Sequence, residues 1–284
     1  MLVILGYVIV ALSVFGGFAL AGGHLHSLLQ PIELLMIGGA GFGAFLVGNS
    51  GAALKATFKA VPKVFKGSKY KKTHYMELMA LLYEMLGKIR KEGLMSIEGD
   101  VENSSESPLF AKYPVILSDH HVIEFLTDYL RIMVSGNLNA MELENLMDVE
   151  IETHHHEEML PSHVIAKLGD ALPAFGIVAA VMGVVHTMGS VGIPPAELGK
   201  LIGAALVGTF LGILLSYGFI GPLASVLEQK ADESTKMFQT IKVTLLANLN
   251  GYAPAMAVEF GRKVLLSTER PGFVEMETYV KQKR

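Results

Sequence analysis

Polar groups that could handle an ion stand at a few places inside long uncharged stretches of this sequence. Thr209 and Tyr217, with Ser216 beside Tyr217, are hydroxyls in the run 201–220, and His186 lies in the run 171–190. Hydroxyls readily bond the backbone of their own helix, so a structural role accounts for them as well as an ion path does; Thr209 is the first to test. Pro173 and Pro222 stand at the ends of the same two runs. A proline has no N–H to donate to the carbonyl four residues back, so these two free the carbonyls of Gly169 and Gly218. Freed carbonyls persist in lipid only where protein, side chains or water satisfy them, which makes them candidates for a wet path; the plain alternative is a kink at a helix end.

Ion-translocating membrane proteins place an ionisable group near the midplane, where a carboxylate binds and releases a proton or sodium ion. The uncharged runs offer none. Glu33 falls near one end of its run, where a carboxylate reaches the headgroups, Asp170 sits just inside the inner boundary, and His186 lies near the outer end, where packing suits it better than relay. If the chain conducts ions, the carboxylate must come from a second protein's transmembrane helix, and the expectation is a heteromeric complex.

Other chemistries are poorly supported. His154, His155 and His156 are adjacent, so they point to different sides of a helix and lack the i, i+4 geometry of a helical metal site; with His163 they are expected to be solvated. The chain has no cysteine, which removes disulfides, thiolate catalysis and cysteine metal sites, and no P-loop. An enzyme is not expected, nor a metal or cofactor.

The elements that must position these residues are membrane helices. Of 284 residues 51% are apolar, and the mean hydropathy is +0.44, too high for an ordinary soluble enzyme. A span needs about 20 apolar residues. The runs 2–20, 171–190 and 201–220 have no Asp, Glu, Lys or Arg, and 31–48 carries only Glu33. The first run resembles a signal peptide at Ala-Leu-Ala-Gly, 19–22, but no basic residue precedes it and it is long for such a segment, so a retained helix is expected. Seven lysines and no acid lie between Gly51 and Met76, which places that segment in the cytoplasm. Residues 21–30 and 191–199 become outer loops, and both termini face inward. The lysines serve topology beside anionic lipid, not nucleic acid. Small residues at or near i, i+4 spacing (Gly176, Ala180 and Gly183 in one run, Gly203, Gly208 and Gly212 in another) suit close helix packing, either within the chain or around a partner.

The spacing predicts further helices outside the membrane. Leu78, Leu81, Leu82, Met85 and Ile89 form one face of a helix ending near Gly93, and Val122, Phe125, Leu126, Tyr129 and Met133 form another, closed by Gly136. Ser107 before Pro108 is a helix start, and Asn139 with Glu142 has capping-box spacing for a helix through Ile151. The periodicity of 51–169 is too weak for an independent large core, so this segment is expected to pack with the polar helical stretch 223–250, an extension of the fourth span broken by Gly251 and Pro254. The fold class expected is an all-α integral membrane protein. Spans fall in 1–50 and 170–222, and a cytoplasmic helical domain draws on 51–169 and 223–284.

Whole-chain resemblance refines this. The segments Pro-Ala-Phe-Gly-Ile-Val-Ala-Ala-Val-Met-Gly-Val-Val at 173–185, Gly-Thr-Phe-Leu-Gly-Ile-Leu-Leu at 208–215, Asn-Gly-Tyr-Ala-Pro at 250–254 and Gln-Pro-Ile-Glu-Leu at 30–34 resemble the MotA branch of the MotA/TolQ/ExbB superfamily, the larger subunits of the flagellar motor stator. The resemblance implies an inner-membrane pentamer around two copies of MotB, whose transmembrane helices carry the ion-binding aspartate and whose other end anchors to peptidoglycan. It implies functional roles for Pro173 and Pro222, and contact of Arg90 and Glu98 with the rotor protein FliG. Sodium-driven relatives carry a hydroxyl residue where Ala180 stands, which favours protons over sodium, whereas Thr209 is shared by both kinds. The alternative within the superfamily is a TolQ- or ExbB-type energiser of envelope processes.

Overall fold

The computed structural model describes residues 2–136, 139–189 and 192–283, and among them every regular element is helical. In chain order these are α1 (Leu2–Leu20), α2 (Pro31–Val47), α3 (Gly51–Val64), α4 (Lys72–Glu92), α5 (Glu98–Glu102), α6 (Pro108–Ala111), α7 (Pro114–Leu117), α8 (His120–Ser135), α9 (Ala140–Met188), α10 (Pro195–Leu249), α11 (Pro254–Val264) and α12 (Phe273–Lys283). Single 3₁₀ turns, Leu25–Leu28 and Leu94–Ile97, precede α2 and α5. Four helices, α1, α2 with its preceding turn, α9 and α10, are long and apolar enough to cross a membrane. Parts of two expected features, Ser190 at the end of the third run and Val191 at the start of the second outer loop, lie outside the described residues.

The chain divides into two compact units. The first joins Met1–Gly67 to Glu158–Gln229. Its α1 buries no residue within the chain: Leu2, Ile4, Leu5, Val8, Ile9 and Leu12 are all exposed, a surface suited to lipid or to neighbouring subunits. By contrast α2 buries Glu33, Ile37, Gly41 and Phe45, a single i, i+4 stripe. Ser50 caps α3, accepting from the Ala53 amide at 3.2 Å. Val64 of α3 clusters with Ile165 and Leu223, and Ala53 with Phe45 and Val164. This packing puts the edges of the compact units at 67/68, 157/158 and 229/230, while the apolar runs end at other positions.

The second unit, Ser68–Glu157 with Lys230–Arg284, has a large apolar core. Both expected stripes are buried in it, Leu78, Leu81, Leu82 and Met85 from α4 and Val122, Phe125, Leu126, Tyr129 and Met133 from α8, with Ile89 packed partly buried at its margin. Met237, Phe238, Ile241 and Leu245 of α10, Ala257 and Val258 of α11 and Met276 of α12 fill the other side, so the core is built jointly from two chain segments. The expected stops are present: Gly93 ends α4 at φ +86° and Gly136 ends α8 in the left-handed region at φ +70°, conformations that favour glycine. Ser107 caps α6 through the Leu109 and Phe110 amides, and Asn139 and Glu142 form the reciprocal capping box at 3.0 and 2.9 Å.

One expectation is extended and one corrected. The helix after Asn139 runs through Ile151 as expected and continues to Met188 through Pro161 and Pro173. Around Pro161 the backbone is braced by Ser162, whose hydroxyl donates to the Ala224 carbonyl at 2.9 Å. The assignment of a freed carbonyl to Gly218 assumed α-helical bonding, but Leu214–Ile220 is π-helical, which changes the register just before Pro222. In that stretch the carbonyl of Phe219 accepts the Tyr7 hydroxyl at 2.9 Å.

Candidate functional site in the seam of the third and fourth spans

Within the first unit α9 and α10 touch through glycine. A methyl group at Gly176 would stand 2.8 Å from the Gly208 carbonyl oxygen and 3.1 Å from the Gly212 Cα. One at Gly212 would stand 2.6 Å from the Leu172 carbonyl oxygen, and one at Gly183 2.7 Å from the Ala205 Cβ. Backbones this close have no room for any side chain, so Gly176, Gly183 and Gly212 pack the two helices together within the chain. Gly203 is different: it is exposed, with open space beside it.

Thr209 and Ala180 lie at this seam. The Thr209 Cα would be 3.4 Å from a methyl at Gly176, and the Ala180 amide nitrogen 3.3 Å from one at Gly208; both residues are half-buried. Pro173, also half-buried, stands one turn before Gly176. A methyl at Gly169, four residues before Pro173, would stand 3.3 Å from the Ile220 Cγ2 and 3.7 Å from the Gly221 amide nitrogen, next to Pro222. The seam therefore brings the two proline-bearing stretches together at one end and Thr209 and Ala180 further along. Tyr217 is not part of it. That side chain is 71% exposed, whereas its neighbour Ser216 is buried, so the hydroxyl turned inward belongs to Ser216.

Sequence reasoning missed two residues. Tyr7 anchors the π-helical stretch through Phe219, with ring centroids 5.1 Å apart in addition to the hydrogen bond. Glu33 does not reach outward from the chain: it is 8% exposed, beside the seam. Its Oε2 would be 3.0 Å from a methyl at Gly208 and its Oε1 3.7 Å from one at Gly183. The stripe Glu33, Ile37, Gly41, Phe45 was the signal that could have found it, because i, i+4 spacing puts the carboxylate on the face that packs.

In the second unit Arg90 and Glu98 are exposed on either side of the turn Leu94–Ile97. Their neighbours are paired: Lys88 with Asp100 at 2.7 Å, and Arg131 with Asp128 at 2.7 Å and Glu102 at 3.0 Å. Among the described residues neither Arg90 nor Glu98 enters an ion pair. Of the histidines, His156 and His163 are exposed, but His154 packs on Phe238 at 4.4 Å and His155 Nδ1 lies 2.9 Å from Thr235 Oγ1, so these two are structural rather than solvated. Among the described residues no group of three metal-ligating side chains forms.

The family model described as Motility protein A N-terminal matches residues 4–93, and that of the MotA/TolQ/ExbB proton channel family matches residues 118–240. Motility protein A of Salmonella typhimurium is 59% identical over 284 residues, covering 100% of this chain and 96% of the relative. Motility protein A of Escherichia coli is 58% identical over 281 residues, covering 99% and 95%. Chemotaxis protein LafT of Vibrio parahaemolyticus is 37% identical over 276 residues, 97% of each chain. The fold is shared with MotAB of C. jejuni, with a TM-score of 0.77 and 21% identity over 93% of this chain and 95% of that one. It is shared also with the MotAB stator complex from Bacillus subtilis, at 0.74 and 24% over 93% and 94%. A polytopic channel-family architecture is thus defined, and within the MotA/TolQ/ExbB proton channel family the chain belongs to the motility protein A family.

Proposed function

We propose that the chain is the stator subunit of a bacterial flagellar motor: with MotB it forms a proton channel that turns ion-motive force into torque. It lies in the inner membrane with both termini cytoplasmic, as a pentamer around two MotB helices. The observation that carries this reading is the seam. The apolar stretches of the third and fourth spans contain no acid, yet they hold a threonine and two proline-bearing stretches where the helices meet. Such a wall lines a path for charge without fixing it, and the aspartate of a partner helix supplies the titrating group. An ion falling through about 100 mV releases roughly 2.3 kcal/mol, enough to bias a packed interface between two arrangements. Arg90 and Glu98, exposed and unpaired among the described residues, are suited to pass each step to the rotor protein FliG. Pro173, Thr209 and Ala180 belong to the path; Pro222 shapes its inner end, and Tyr217, facing outward, suits a contact with a neighbouring subunit or the partner helix.

The test is proton uptake by cells that express the chain with MotB, read by a pH-sensitive fluorophore, together with swimming in a strain lacking the native stator. Both are expected for the intact pair. Equal uptake by the chain without MotB would overturn the reading, because the titrating carboxylate would then not be the partner's.

A further inference from the structure

We propose that Glu33 is a proton-exchanging group of this subunit, seated between the second, third and fourth spans and relaying a proton from the outer side to the partner's carboxylate. The inference rests on the ion-path reading above. It starts from an unpartnered atom: Oε2 of Glu33 is buried without a hydrogen-bond partner, and the residue is only 8% exposed. Buried carboxyl oxygens are nearly always satisfied, so one left open marks a site with a task or a bound proton.

Among the described residues no cation pairs with this group. Around Glu33 stand Gly183 and Ala205, which touch each other, and Gly208 with Ala179 and Ala180 packed on it. The nearest ionisable groups on those helices are His186, one turn outward from Gly183, and Glu197 and Lys200 at the start of α10; all three are exposed. His24 and His26, beside the turn that leads into α2, are exposed as well. A carboxylate so enclosed, with no counter-charge, is strongly unfavourable, whereas the neutral acid is tolerated. A sodium ion would need a shell of several oxygens, whereas the side chains around the seat are those of glycine and alanine, which carry none. A proton needs no added space.

Position gives the group its place in the path. Glu33 is in the first turn of α2, next to the connector assigned to the outer side, and its carboxyl meets the seam at Gly208, adjacent in sequence to Thr209, and beside Ala180. In the step proposed, the O–H bond of the neutral Glu33 breaks as an O–H bond forms on the partner's carboxylate. The Glu33 carboxylate then regains a proton from outer water, and no electrons are exchanged. Separation of α2 from the seam would admit that water.

The test uses the chain co-expressed and purified with MotB, as wild type, Glu33→Gln and Glu33→Asp. Two readouts are taken: proton uptake as a function of external pH, and the infrared carbonyl band of a protonated carboxyl group. Expected are loss of the external-pH dependence and of one protonated-carboxyl band in Glu33→Gln, and retention of both, with the band shifted, in Glu33→Asp. The aspartate variant carries the test where the glutamine variant does not assemble. A glutamine variant with wild-type uptake at every pH overturns the relay. An unchanged set of bands overturns the proton-holding site. Absence of uptake in wild type condemns the ion-path reading instead, and the infrared bands still decide whether Glu33 holds a proton.

Discussion

In the first unit a methyl at Gly176 would stand 2.8 Å from the Gly208 carbonyl oxygen, whereas in the second Phe125 and Phe238 meet with ring centroids 4.9 Å apart. The same chain thus joins helices by removing side chains in one region and by interlocking large ones in the other. Solvent explains the difference. Next to lipid no hydrophobic gain separates a helix contact from a lipid contact, so close backbone packing must supply the attraction. In water, burial of Leu, Met and Phe supplies it, at about 25 cal/mol per Å² of apolar surface. The contrast is not complete, since Gly261 of α11 lies directly against Thr244 and Thr240 of α10 in the second unit.

The comparison breaks most sharply at the seam. Gly176→Val would force branched carbons into the space held by the Gly208 carbonyl and the Gly212 Cα. Overpacking costs about 1–3 kcal/mol in ordinary cores and more where the obstacle is backbone that cannot rotate away. The variant is expected to lose its complex with MotB on gel filtration and to abolish swimming; a fully assembled, motile variant would show that the seam is not rigid.

The next effect belongs to the second unit. Arg262 is buried, binds Glu259 through two hydrogen bonds of 2.6 Å and donates to the Pro271 carbonyl at 2.7 Å. Its guanidinium holds the Glu259 carboxyl below the ordinary carboxylate value. Removing one partner of a buried pair costs about 3–5 kcal/mol. Because Glu259 is about one-fifth exposed, Arg262→Ala is expected near the lower figure, read as a fall in the thermal midpoint of the purified complex. The sign of the pH dependence follows from the depressed value. The contribution is full above the ordinary value of 4.5 and disappears as pH falls through the lower folded value. A smaller loss, about 1 kcal/mol, is expected for Asn139→Ala, which removes one half of the capping box, with the same midpoint as readout.

Legibility in the sequence follows the same division. In the second unit the stripes of α4 and α8, the glycines at 93 and 136 and both caps could be read directly, because each is a local signal with a single physical cause. The partner of those stripes could be expected only in general terms, since Phe238 and Ile241 lie in distant chain. The four apolar runs were equally plain. What runs of apolar residues hide is direction: uncharged helix faces look alike, and only the structure shows that Gly176 faces Gly208 within the chain. Glu33 stands at the end of its run, but that position says nothing of which way the side chain turns; its i, i+4 alignment with Ile37 and Gly41 carries that information. The π-helical register before Pro222 has no composition signal, and Tyr7 as the donor to Phe219 is a contact across the chain.

The smallest effect on stability should accompany one of the largest on motility. Glu98 is exposed at the start of α5 and unpaired among the described residues, so Glu98→Lys removes no internal contact and is expected to shift stability by no more than about 0.5 kcal/mol. A reversed charge at a surface that meets another charged surface acts on association instead, turning attraction into repulsion. Swimming should therefore fall while the thermal midpoint and proton uptake stay at wild-type values, and an opposite reversal on FliG should restore part of it. Wild-type swimming would move the rotor contact away from this turn. Loss of uptake together with swimming would mean that the exposed charges of the second unit act on the ion path, and the separation of the two regions into a conducting seam and a transmitting surface would no longer hold.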